Sequence, residues 1–154
     1  MLTARTDATI NTKTGFSIIR YTAAADGARV PHGLGATPEL LITKVTSEGS
    51  QNWSVYTNLI DGSYDYGRLN STNGFTNSGQ TIFNATTFPN IHGSGKTVIN
   101  YLWRSIPGVQ KFGYYQANGN TDGLYIDLGF KTGFVWFTVT SHGGSRNWGV
   151  TRSI

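Results

Sequence analysis

The chain contains no cysteine. Disulfides therefore play no part in holding it together, and cysteine-ligated zinc is excluded. Charge is also scarce. Only 13% of the residues are Asp, Glu, Lys or Arg, where an average soluble protein carries about 25%. Its apolar runs fall far short of the roughly 18 residues that a membrane-spanning helix needs. Met1 to Ile10 has no apolar core of the kind that marks a secretory signal peptide. The eight acidic residues offer few partners for acid/base chemistry.

Aromatic residues make up 13% of the 154, and there are 20 glycines. With so little charge, the polar surface has to come from Asn, Ser, Thr and Gly. That mixture suits strands joined by many turns and suits helices poorly, since helices favour Ala, Leu, Glu and Lys. The net charge is +4 with a pI near 9.5. The twelve basic residues are scattered from Arg5 to Arg152 without a stripe or cluster, so no nucleic-acid partner is expected.

One phrase occurs twice. Val45 to Trp53 reads V-T-S-E-G-S-Q-N-W, and Val139 to Trp148 reads V-T-S-H-G-G-S-R-N-W. Each looks like a strand end, a polar turn and a Trp that opens the returning strand, which is a hairpin signal. The match extends upstream. The offset is 93 at Gly15/Gly108, 94 at Leu34/Leu128 and 95 at Trp53/Trp148. A slowly drifting offset is what duplicated units with small loop insertions produce. Two copies are too few for a solenoid. The organisation expected is therefore an N-terminal arm over 1–14 and a single β domain over 15–154. Within that domain, pseudo-repeats at 15–56 and 108–151 flank a connecting segment, 57–107.

Period-two alternation and β-branched runs predict strands near 16–22, 30–35, 40–46, 53–58, 64–70, 80–83, 97–105, 109–116, 124–128, 133–141 and 148–152. Along 97–105, Val98, Asn100, Leu102 and Arg104 fall on one face and Ile99, Tyr101 and Trp103 on the other. No window sustains a helical period. The fold class expected is all-β, a β-sandwich or jelly-roll-like body with little helix.

Sites of chemistry are hard to find. His92 to Thr97 ends like a phosphate-binding loop, but a strand pattern follows where that loop needs a helix. Asp61 and Asp65 could form a glycosidase-type pair, yet D-G-S-Y-D reads as a turn, where Asp bonds its own backbone. His32, His92 and His142 show no metal-ligand spacing, and there is no nucleophile elbow. No catalytic, metal or cofactor-binding residue is assigned, and no cofactor is expected. Trp53 and Trp148 occupy the same place in the repeated phrase and read as structural anchors, as do Gly35 and Gly129. Tyr64, Tyr66, Tyr114, Tyr115 and Tyr125 lie beside loops and are the candidates for surface, partner or glycan contacts. Glu48, His142 and Arg146 join them, because the two turns differ there.

Several segments in combination resemble a domain found in tail-fibre-like and other virion structural proteins of bacteriophages, especially phages of marine and freshwater bacteria. They are Gly15-Phe16-Ser17-Ile18-Ile19, His32-Gly33-Leu34-Gly35-Ala36-Thr37-Pro38-Glu39, Trp53-Ser54-Val55-Tyr56 and Leu69-Asn70-Ser71-Thr72. Lys111-Phe112-Gly113-Tyr114, Asn118-Gly119-Asn120, Asp122-Gly123 and Gly129-Phe130 follow. The chain departs from that pattern at Lys131-Thr132, where the family carries Arg-Pro. The resemblance implies a non-enzymatic virion component exposed on the particle, decorating a capsid or associated with a fibre. Its partners would be other virion proteins and further copies of itself. With Met1 and Ile154 as natural ends, it would be free-standing. The second expectation is a glycan-binding module that recognises a host receptor at a fibre tip. A receptor tip should gather exposed aromatics and carboxylates in the loops 23–30, 58–79 and 117–123.

Overall fold

The computed structural model describes residues 7–79, 83–140 and 147–152. Among these there are eleven strands and no helix, so the chain is all-β. In order they are β1 (Asp7–Asn11), β2 (Phe16–Thr22), β3 (Arg29–Pro31), β4 (Leu40–Val45), β5 (Ser54–Thr57) and β6 (Asp65–Arg68). Then come β7 (Thr76–Asn77), β8 (Thr87–Pro89), β9 (Thr97–Trp103), β10 (Phe134–Phe137) and β11 (Gly149–Arg152).

Seven strands form one antiparallel sheet in the order β1-β2-β9-β4-β5-β6-β7. Its centre is β9, which pairs with β2 on one side and β4 on the other. That placement follows from its sequence. A strand with apolar residues on both faces is stable only where neighbours lie on both edges and both faces are at least partly covered. Registers Ser17↔Leu102, Ile19↔Asn100 and Tyr21↔Val98, with Leu41↔Leu102 and Val45↔Val98, put one set of side chains on a common face. That face is the core. A two-stranded ribbon, β3–β8, lies over it and contributes Val30 and Phe88 to a cluster with Ile19, Tyr21, Leu34, Leu41, Val98 and Leu102. Full burial of such side chains is worth about 1.5–3 kcal/mol each. The second layer is thus a small ribbon with its flanking loops, not a second sheet of similar size.

Residues 7–11 of the expected arm are strand β1, paired along β2. The β1–β2 turn is tied further by Arg104 donating to the Thr12 carbonyl and Gln110 donating to the Thr14 carbonyl. This part of the arm is thus paired within the chain's own sheet. Its edge position satisfies one side of its backbone, a pairing that the Thr/Ala/Asn-rich sequence did not advertise.

Both copies of the repeated phrase connect antiparallel strands. In the first hairpin Leu40, Leu41, Ile42 and Thr43 face Thr57, Tyr56, Val55 and Ser54. In the second, Phe134, Val135, Trp136 and Phe137 face Arg152, Thr151, Val150 and Gly149. Under the sequence offsets these four pairs correspond one to one. Gly35 and Gly129 also correspond, and both hold a positive φ, +75° and +77°, which a residue with a Cβ adopts only with strain. The correspondence stops there. Strands expected at 109–116 and 124–128 do not form. Only an isolated bridge, Ile106↔Gln110, appears near the first, and the run 111–133 carries no strand. The strand expected at 133–141 is shortened to Phe134–Phe137. The 80–83 strand lies mostly outside the described residues.

Candidate functional site

The molecule divides at Leu102. Every buried residue among those described precedes or includes it, and none follows it. Large exposed apolar side chains show the reverse bias. Apart from Ile10, all lie between Val109 and Val150: Val109, Tyr114, Tyr115, Leu124, Tyr125, Ile126, Phe134, Phe137, Val139 and Val150. Scattered exposed apolar residues are normal, and the concentration of so many in one stretch of sequence is what sets this region apart.

The C-terminal hairpin β10–β11 is held to the sheet through one aromatic knot. Trp148 Nε1–H donates to the Arg68 carbonyl at 3.1 Å. Its ring lies 4.7 Å from Trp136 and 6.2 Å from Phe75, centroid to centroid. Phe75 N–H in turn donates to the Thr140 carbonyl at 2.9 Å. Phe75 sits so close over Gly67 that a Cβ there would lie 2.8 Å from its ring. Trp148 is therefore an anchor, as its place in the repeated phrase implied. A shallow cleft beside it is lined by Leu69, Asn70, Ser71, Thr72 and Asn147.

Trp53 anchors differently. It is half-buried on the sheet face turned away from the core. There it lies 6.2 Å from Tyr101, which stacks at 6.2 Å on Trp103, which stacks at 4.8 Å on Phe16. Lys44 Nζ stands 5.6 Å from the Trp53 ring, a cation–π distance. This row of rings runs from β2 over β9 to the residue before β5 and was only half legible in the sequence. The alternation along β9 placed Tyr101 and Trp103 together, but adding Phe16 and Trp53 required the sheet order.

The candidate contact residues separate into two groups. Tyr64 is a core-boundary residue. It packs edge-to-face on Phe83 at 4.9 Å and its hydroxyl donates to the Phe83 carbonyl. Tyr66 is half-buried in β6, stacked near Tyr56 at 5.2 Å and receiving a hydrogen bond from Arg68 at 2.6 Å. Neither is a free surface aromatic, because the strand reaching back to the sheet takes both rings with it. Tyr114, Tyr115 and Tyr125 are exposed, Tyr125 to 91%. No ring pairing joins these three among the described residues. Glu48 lies in the first turn, paired with Lys96 at 3.2 Å and accepting from Gln51, so its charge is answered within the chain. His142 and Arg146 lie outside the described residues.

The remaining polar groups serve the fold. Asp61 accepts from Ser63 N–H and Oγ, which holds its carboxyl below the usual range, the turn role its sequence suggested. Asp65 is buried in β6, and burial, reinforced by Asp61, pushes its carboxyl up. His32 is fully buried, with Nδ1 accepting from Leu34 N–H at 3.1 Å and Nε2 facing the Asn84 carbonyl at 3.0 Å. This pins the neutral tautomer with the proton on Nε2, and burial lowers its pKa. His92 bonds Thr43 at 3.0 Å and is likewise lowered, by burial and then by Lys96. The H-G-L-G-A-T-P-E segment shapes a second shallow cleft. Ala36, Thr37, Pro38 and Glu39 line it with Asn58, Arg104 and Ser105, and Glu39 accepts there from Ser105 N–H. Loops 23–30 and 117–123 contain no aromatic residue.

Fold and surface together define an all-β domain with a self-contained N-terminal body and an apolar, open C-terminal third. The chain belongs to the DUF7483 family, a domain of unknown function, whose model matches residues 3–153. No curated protein and no solved structure matches it.

Proposed function

We propose that this protein is a non-enzymatic structural component of a bacteriophage particle. It decorates a capsid or associates with a fibre, binds other virion proteins and assembles with copies of itself. The observation that supports this most is the distribution of apolar surface. Burial ends at Leu102, while ten of the large exposed apolar side chains fall between Val109 and Val150. A chain that leaves such surface open gains about 25 cal/mol for every Å² of it that a partner covers. Four of the segments that resemble phage virion domains also lie in this region, from Lys111-Phe112-Gly113-Tyr114 to Gly129-Phe130.

A receptor-binding role is the second reading. Exposed Tyr114, Tyr115 and Tyr125 favour it, since tyrosine offers both an apolar ring and a polar tip to a sugar. Imaging purified particles with a labelled antibody tests both. An array over the head supports decoration and sinks the receptor-tip reading. Label only at fibre ends supports the receptor role, and a glycan-array screen then identifies the sugar. Absence from purified particles overturns the virion role altogether.

A further inference from the structure

The geometry points to the outer edge of β10 as the site where a second copy of this chain pairs, strand to strand, across a two-fold axis. This deepens the homo-oligomer part of the function proposed above.

The two hairpins share a register, yet their surroundings differ. In the first, β4 carries β5 on one edge and β9 on the other. In the second, β10 carries β11 on one edge, and among the described residues nothing pairs with the other. The unfilled position corresponds to the one β9 takes beside β4. The chain's own neighbouring segments are poorly placed to fill it. By the sequence offsets, 109–116 corresponds to β2, and in the first unit β2 does not touch β4, because β9 lies between them. β9 itself already has both its edges occupied. No strand of the chain fills it among the described residues, which leaves it open to a second copy.

The edge has the character of a pairing surface. Soluble proteins protect free edges with charge, proline, bulges or a covering element. Phe134-Val135-Trp136-Phe137 has neither charge nor proline, and Phe134 and Phe137 are 62% and 49% exposed. A second copy fits this edge on three grounds. The strand is self-complementary. Antiparallel registers centred on Val135 or on Trp136 set apolar side chains opposite apolar ones, as a two-fold, isologous interface requires. Every strand pair among the described residues is already antiparallel. The flanking segment 107–140 carries Lys111 and Lys131 against Asp122 and Asp127, so two copies approach there without like-charge repulsion.

The absence of cysteine makes a direct test clean. Directly opposed residues in antiparallel strands have Cα atoms about 4.5–5.5 Å apart, within the range a disulfide spans. Val135→Cys and Trp136→Cys bracket the axis, and Tyr125→Cys, at a fully open position, is the control. Under mild oxidation, V135C or W136C should give a disulfide-linked dimer at least tenfold faster than Y125C. Sedimentation of the unmodified chain should show a dimer or an even-numbered assembly. The double variant F134K/F137K should be monomeric with unchanged strand content by circular dichroism, since both side chains are exposed. Three results overturn the pairing: a monomeric unmodified chain at tens of micromolar, crosslinking no faster than the Y125C control, or a dimer that survives F134K/F137K. The particle role fails separately, through absence from purified virions.

Discussion

The β4–β5 and β10–β11 hairpins carry the same four-pair register and meet different fates. Leu41 and Val55 in the first are fully buried, while Phe134 and Val150 in the second are each 62% exposed. Backbone pairing is therefore not what separates them. An isolated two-stranded hairpin is marginal in water, and it becomes stable when further strands or a packed face cover it. The first hairpin has β9 and β6 beside it and the β3–β8 ribbon over one face. The second has one aromatic knot around Trp148. The difference shows that a single local sequence pattern can be covered within the chain in one place and left exposed in another.

Truncating one apolar side chain in each hairpin should expose this contrast most strongly. Leu41→Ala removes a fully buried side chain at the centre of the core and should cost about 2–5 kcal/mol in chemical denaturation. Phe134→Ala, in dilute monomeric protein, should change that midpoint by no more than about 0.5 kcal/mol. Equal losses would mean the C-terminal hairpin is part of the same cooperative core.

Trp148→Ala comes next. It removes the hydrogen bond to the Arg68 carbonyl and the contacts with Phe75 and Trp136. The hairpin should be released at a local cost of about 1–3 kcal/mol. Limited proteolysis should then cut within 111–140 faster while the N-terminal body stays intact. Unchanged cleavage there would show that something other than this knot holds the hairpin.

The glycine pair gives a smaller, sharper test. Gly35→Ala and Gly129→Ala place the same strain in the same left-handed conformation, about 1–2 kcal/mol if the backbone cannot relax. Gly35, next to the buried Leu34, should show that loss in global stability. Gly129, in an open segment, should show almost none. Equal losses would place both turns in one rigid unit.

The smallest effect is on pH dependence, and it belongs to the N-terminal body. His32 and His92 both have lowered pKa values, chiefly from burial. The unfolded chain therefore takes up protons more readily. Their contribution is complete above the unfolded value near 6.5 and is lost as pH falls from there through the lower folded values. Denaturation midpoints should fall between pH 7.5 and 5, and His32→Asn should flatten the slope. A slope unchanged in that variant would remove His32 as a cause.

The all-β class was legible because alternation, β-branched runs and Gly-rich turns all agreed. So were β9 with its two faces, the β4–β5 hairpin, and the turn roles of Asp61, Gly35 and Gly129. The strands expected at 109–116 and 124–128 had the same alternation but did not form. Alternation records which side chains could share a face and cannot supply the neighbouring strand that makes the face worth burying. The pairing of β1 was hidden because an exposed edge strand needs no apolar pattern. Tyr64 and Tyr66 misled for a related reason: proximity to a loop in sequence does not prevent a strand from carrying a ring back against the core. The outer aromatic row needed the strand order, which brings Phe16, Tyr101 and Trp53 together from three separate segments.

The central claim is that the body up to Leu102 is complete within one chain and that the C-terminal third is completed by another. Hydrogen exchange measured across a dilution series tests it most directly. Amides of β2, β4 and β9 should be equally protected at every concentration. Those of 109–139 should exchange quickly in the dilute monomer and become protected as copies associate. Strong protection of 109–139 that persists unchanged in the dilute monomer would contradict the claim.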